Sequence, residues 1–444
     1  MIYSSKRKIY GFILTCFFTL CTVLSSCGCA DTDLGEAILD QGYIVHSKMS
    51  CISTGDDSED LEGASNITVV RMADSLPEDF VPSDENTVSA EESKYPIYIF
   101  FERKEDAGIM YFYTKGDKVV MNPDSSRLFF GFVNLVDISG LSDWDSSQVT
   151  NMYAMFAGTK NLPDALALKN WNTSNVTNMG FMFSGDSSMK YIDVSNWDTS
   201  KVTSMAAMFQ VGKSFQGDGQ LCEILGLGNL DVSNVKDMTC MFYGAGKMIQ
   251  YDIAEWDVSN VESMNHMFCD NRSLRSLDLS RWDVSSIKTI HCMFDDNHKL
   301  KTIGDVSHWN TVNLIDAGGW LNHTESFVGN DYGELDLSGW DTTKLKAVGE
   351  MFSYTNIRTI DLSGWTFASI TNDSWEGVGK GIYYEYGNGY TPLKGFGQMF
   401  MNTTNLNSVY LSETGLDTYN TAVENGVNTQ DMWTNSKCAC FTVK

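Results

Sequence analysis

Proline is scarce in this chain, six in 444 residues. That excludes a collagen-like or polyproline chain and suits regular hydrogen-bonded structure. Positive charge is short as well: 31 Lys and Arg stand against 57 Asp and Glu, a net charge of -26. Such a surface repels phosphate backbones and anionic lipid headgroups, so no nucleic-acid partner is expected and membrane attachment needs an anchor. No Gly-x-Ser-x-Gly elbow, His-Glu-x-x-His pair, phosphate loop or dinucleotide fingerprint occurs, so neither an enzyme nor a cofactor is expected. The 11 cysteines show no framework spacing, which excludes a disulfide scaffold. Aromatic residues, by contrast, are plentiful: 24 Phe, 19 Tyr and 11 Trp. A chain this rich in rings is not disordered as a whole.

The N-terminus reads as a targeting leader. Lys6-Arg7-Lys8 precedes an apolar stretch, Ile9 to Leu24, of 16 residues. A membrane span needs about 20, so the stretch fits a signal-peptide core. Leu24-Ser25-Ser26-Cys27 then has the shape of a bacterial lipobox, with small side chains before a thiol that accepts lipid. We expect a lipoprotein signal peptide over 1–26 and lipidation at Cys27. Residues 27–94 are polar and carry acidic clusters such as Gly55-Asp56-Asp57-Ser58-Glu59-Asp60, which predicts a flexible spacer. At Tyr95 the composition changes. Ile97–Phe101 and Ile109–Tyr113 are apolar β-rich runs around Lys104-Glu105-Asp106, which predicts a hairpin within an N-terminal β cap over 95–135.

The body of the chain repeats. Phe156, Phe183 and Phe209, then Phe242, Phe268 and Phe294, follow one another at 26 or 27 residues within each group. Trp144, Trp171, Trp197, Trp256, Trp282 and Trp340 stand 12 residues before a Phe. The unit is W-D-x-S-x-V-x-x-M-x-x-M-F, preceded by L-x-x-L-x-L as in Leu274, Leu277 and Leu279. The upstream half alternates like a strand. Downstream, Val202, Met205, Met208 and Phe209 are spaced as on a helix, with Ser147, Ser200 or Ser259 where an N-cap is wanted. Each unit cannot bury its apolar side alone, so the units are expected to stack. The repeat region is set at 136–412, broken at 210–221, 313–327 and 366–398, with a degenerate cap over 413–444.

This pattern resembles the repeats of BspA-like leucine-rich-repeat surface lipoproteins, first noted in mycoplasmas. The resemblance implies a leucine-rich-repeat-like α/β solenoid, a short strand plus a short helix per roughly 26-residue rung, behind an N-terminal β-hairpin cap. It also implies surface display on a lipid-anchored, extracytoplasmic protein and an adhesive role, and it supplies no catalytic residues.

Three groups of residues invite a chemical reading. Asp193, Asp252, Asp278, Asp336 and Asp361 share one repeat position, and Asp145, Asp198, Asp231, Asp257, Asp283 and Asp341 another. Such ladders fit Ca²⁺ between rungs; the alternative, which we prefer, is a solvated strand face for the first set and turn closure for the second. Cys240, His266 and Cys292 share a third position, with Cys269 and His291 beside it. They fit either zinc or a column of small core residues, because Ala154 and Ala207 hold that position elsewhere. No metal is expected. The third group, Trp375, Tyr383, Tyr384, Tyr386 and Tyr390, lies in the Gly-rich break 366–398 and suits ligand stacking. The function expected is non-enzymatic binding or adhesion to a host or neighbouring-cell protein or glycan. The alternative is an extracytoplasmic glycan-binding or glycan-processing protein.

Overall fold

The computed structural model describes residues 36–54, 66–212, 219–372 and 394–444. The leader 1–26 and Cys27 lie outside the described residues.

The first described segments are ordered structure rather than a spacer. β1 (Ala37–Ile38) is followed by α1 (Gly42–Thr54), which buries Val45 and Met49, and then by β2 (Val69–Met72). β3 (Ile97–Lys104) and β4 (Ala107–Thr114) form the expected antiparallel hairpin, and β2 pairs parallel with β4 on its other side. β1 pairs parallel with β5 (Val119–Val120). Ile67, Val70 and Val88 are fully buried with Ile97, Ile99 and Phe112. Averaged composition hid these few apolar positions within an acidic stretch, and burying them offsets the ordering entropy that the charge alone would not.

Beyond Met121 the repeats take over, and they do not form the leucine-rich-repeat-like α/β rung. Among the described residues of 136–412 there is no α-helix; the other helix, α2 (Glu413–Glu424), follows that region. Strands are short pieces in separate small sheets. β6 (Tyr191–Asp193) pairs parallel with β7 (Glu223–Leu225). β8 (Glu334–Asp336), β9 (Thr359–Asp361), β10 (Ser408–Leu411) and β11 (Thr442–Val443) form a second parallel set. Elsewhere the pairing is one residue wide. Parallel bridges run Asp124, Asn151, Asn178, Ser204, Asp237, Ser263, Thr289, Asp316, Ala347, one residue from each repeat.

The backbone explains why no helix forms. In each repeat the residue three after that bridge is left-handed: Ala154 (φ 52°), Phe181 (φ 60°), Ala207 (φ 52°), Cys240 (φ 57°), His266 (φ 53°), Cys292 (φ 50°) and Gly319 (φ 63°). A second left-handed residue follows four later, as at Gly158, Gly185, Gly244, Asp270 and Asp296. Two such residues cannot belong to a right-handed helix. Amide hydrogen bonds instead alternate. Met152, Ala154, Phe156 and Gly158 donate to Asn178, Gly180, Met182 and Ser184 in the next repeat, while Met155, Ala157 and Thr159 donate three residues back. Every N–H in the segment therefore has a partner without a helix, which is what burial requires.

The expected apolar positions are nonetheless the core. Val202, Met205, Met208 and Phe209 are fully buried. The phenylalanines stack from repeat to repeat: Phe209–Phe242, Phe242–Phe268 and Phe268–Phe294 centroids lie 5.7, 5.5 and 5.5 Å apart. Each buried ring contributes on the order of 1.5–3 kcal/mol, with about 0.5–1.5 kcal/mol more per stacked pair. Tryptophan is used for both ends of its side chain. Trp171, Trp197, Trp282 and Trp340 bury the indole and donate Nε1–H to a carbonyl of the preceding repeat, those of Leu141, Leu168, Ile253 and Val306. Trp309 and Trp365 do the same to Leu279 and Leu337.

The break expected at 313–327 is a regular repeat. Phe294 N–H bonds Trp320 and Leu321 N–H bonds Met351, so Trp320 stands in the methionine place and Leu321 in the phenylalanine place. Across 366–398 the register resumes, with Glu350 N–H on Gly397 and Phe352 N–H on Met399.

Candidate functional site

The five aromatic residues expected to meet a ligand, Trp375, Tyr383, Tyr384, Tyr386 and Tyr390, lie outside the described residues. Most of the other expected site residues are described.

Most members of both aspartate columns close turns. In the second column the Oδ1 of Asp198, Asp231 and Asp283 accepts the N–H of Ser200, Ser233 and Ser285. Ser200 and Ser233 add their hydroxyls to the same oxygen. These serines are therefore donors in Asx turns, not helix caps. The first column is solvated at Asp252, Asp278 and Asp336, as expected, and it also closes turns: Asp193 and Asp278 accept N–H and O–H from Ser195 and Ser280, and Asp336 and Asp361 the N–H of Ser338 and Ser363. Asp193 is buried and pairs with Lys169 Nζ at 2.9 Å. Hydrogen bonds from its own turn hold Asp278 below the usual carboxylate range.

The first column borders an open groove of about 840 Å³. Three successive repeats line it with Gln250, Asp252, Ser276, Asp278, Thr302 and Asp305. Gly304, at φ +83°, leaves room on its floor: a Cβ there would fall 2.6 Å from Asp278 Oδ1. Asp305 accepts the N–H of Ser307, and that bond lowers its pKa. The groove thus presents ionised carboxylates, hydroxyls and an amide to solvent, a surface suited to hydroxyl or amide donors.

The Cys and His column is divided. Cys240 is buried in a small apolar cluster with Ala154, Ala207, Tyr243 and Cys269, as a core column would be. His266, His291 and Cys292 converge instead, with their nitrogen and sulfur atoms all within 4.8 Å of one another and all three residues buried. His291 was expected only as a neighbour of the column, yet it is the residue that joins His266 to Cys292. The described cysteines, Cys51, Cys222, Cys240, Cys269, Cys292, Cys438 and Cys440, are free thiols.

No helix among the described residues is long and apolar enough to cross a membrane. No curated protein matches the chain. The family model described as "Mycoplasma protein of unknown function, DUF285" matches at 124–224, 220–333 and 304–375, more than half of the chain and the repeats themselves. The chain therefore belongs to this family of repeat proteins of unknown function.

Proposed function

We propose that the chain is a surface-displayed, lipid-anchored, non-enzymatic binding protein that contacts a protein or glycan of a host or neighbouring cell. The groove beside Asp252 and Asp278 carries this reading. It is open, and the carboxylates of Asp278 and Asp305 are kept ionised by their own turns. Glycan hydrolysis needs one carboxylic acid kept protonated near neutral pH beside a second carboxylate, and this environment works against that. Donors of a glycan or peptide can be bound there without being cleaved. The likeness of the W-D-x-S repeats to BspA-like surface lipoproteins, and Leu24-Ser25-Ser26-Cys27 behind a basic leader, support an extracytoplasmic anchored location.

Regular repeats offer near-identical surfaces, so discrimination between ligands falls to the aromatic break, where Trp375, Tyr384 and Tyr386 provide rings for stacking. A glycan-array and host-matrix screen with the purified chain tests the proposal. Once a ligand is found, replacing those three rings with Ala should weaken binding at least about tenfold, or about 1.4 kcal/mol. Release of shortened glycan by the wild-type chain would favour processing over binding. For the anchor, Cys27→Ala expressed in a lipoprotein-processing bacterium should take up no labelled palmitate; undiminished labelling would remove that part of the reading.

A further inference from the structure

The convergence of His266, His291 and Cys292 has a structural origin. His266 and Cys292 occupy the left-handed position of successive repeats, at φ 53° and 50°, and His291 precedes Cys292. His291 Nε2 lies 3.3 Å from Cys292 Sγ, and its Nδ1 lies 3.2 Å from Asp316 Oδ1. The two imidazole centroids are 5.5 Å apart. The next repeat supplies Gly318 and Gly319 in place of side chains, and a Cβ on Gly319 would come within 2.6 Å of Cys292 Sγ. The sulfur thus fills space that a side chain of the next repeat would otherwise take. Asp316 is itself 2% exposed, and its second oxygen, Oδ2, meets no hydrogen-bond donor. A buried carboxylate in that state calls for a positive charge beside it.

We propose that His266, His291 and Cys292 bind a zinc ion, with Asp316 orienting His291 and balancing the charge. Tetrahedral Zn²⁺, at about 2.0–2.1 Å from nitrogen and about 2.3 Å from sulfur, holds its ligand atoms roughly 3.5 Å apart, and the three atoms already lie within 4.8 Å. Two imidazoles and one thiolate form a donor set that suits zinc over the hard cations Ca²⁺ and Mg²⁺. A carboxylate on the far nitrogen of a ligand histidine fixes its tautomer, and here Asp316 takes that place. On binding, the Cys292 S–H bond breaks, its proton passes to solvent and the sulfur lone pair forms the bond to zinc; no oxidant is involved. The two positive charges of the ion would then face the negative charges of the sulfur and of Asp316. Cys240 stands outside the site although it shares the repeat position.

The test uses the full chain, stripped with a chelator and kept reduced with a phosphine, and titrated with Co²⁺ as a spectroscopic stand-in. A sulfur-to-cobalt charge-transfer band should grow to saturation near one ion per chain and disappear on adding Zn²⁺. Cys292→Ala and His266→Ala should each abolish it. Alanine is the native residue at the same left-handed position in Ala154 and Ala207, so both variants are expected to fold. Cys240→Ala should keep the band, and Asp316→Asn should weaken binding by roughly 10–100-fold. Zn²⁺ should raise the melting temperature of the wild type and not that of His266→Ala, which keeps the proposal testable if Cys292→Ala fails to fold. A wild-type chain without the band, or a folded Cys292→Ala variant that retains it, would overturn the assignment.

Discussion

His46 shows how much one residue in the acidic N-terminal segment has at stake. It sits on α1, 2% exposed, with its ring 5.0 Å from that of Phe132. Burial disfavours the imidazolium and lowers the pKa from 6.5 to about 4. Between those values the unfolded chain binds a proton that the folded chain does not, so stability falls as pH falls from 6.5 toward 4. At about 1.4 kcal/mol per pKa unit the loss is on the order of 3 kcal/mol. Denaturant midpoints of the wild type and His46→Leu, measured from pH 7 to pH 4, should diverge by about that amount in favour of the variant. Parallel pH profiles would show that His46 titrates normally and is not held in an apolar site. Composition could not reveal this burial: the segment averages as acidic and polar, and the rings that meet His46, Phe130 and Phe132, lie more than eighty residues on in the sequence.

At the scale of the element, the sequence revealed what is buried but not the backbone that buries it. Val202, Met205, Met208 and Phe209 were identified correctly because apolar residues three and four apart share a side. That spacing also fits a run of three-residue turns, and the turns are what form. The left-handed residues that decide between them are Ala, Phe, Cys and His as often as Gly, so no glycine pattern announced them. The shared repeat position pointed to His266 and Cys292 with His291 beside them, but not to which of the Cys and His residues converge, since that depends on the left-handed backbone at His266 and Cys292. Gly158 and Gly185 separate the two conformations by sign. In a helix, Gly→Ala would add about 1 kcal/mol of stability. At φ 80° and 83°, with nothing nearer than 3.5 Å to an added Cβ, the methyl has room and only the dihedral is strained, at about 1–2 kcal/mol. Chemical denaturation of Gly158→Ala and Gly185→Ala should therefore show losses of that size; a gain in either would restore the helix.

Across the whole molecule, each repeat depends on its neighbours through shared hydrogen bonds and stacked rings. The ring series pauses at Leu321, where Trp320 fills the space against Phe294 at a centroid distance of 6.2 Å, and Phe352 and Phe400 stack beyond it at 5.6 Å. Leucine is thus a native occupant of the phenylalanine place, which makes Phe→Leu a gentle probe. Stability in such an array is a sum of intrinsic repeat terms and nearest-neighbour terms. Phe242 and Phe268 are in contact, 5.5 Å between centroids, whereas Phe156 is separated from Phe268 by Phe183, Phe209 and Phe242. A double-mutant cycle of Phe242→Leu with Phe268→Leu should give a coupling between about 0.5 and 3 kcal/mol, and the cycle of Phe156→Leu with Phe268→Leu should add within about 0.3–0.5 kcal/mol. Equal coupling in both cycles would mean that the ladder responds as one rigid core. No coupling in either would mean that the backbone bridges, and not the rings, join one repeat to the next.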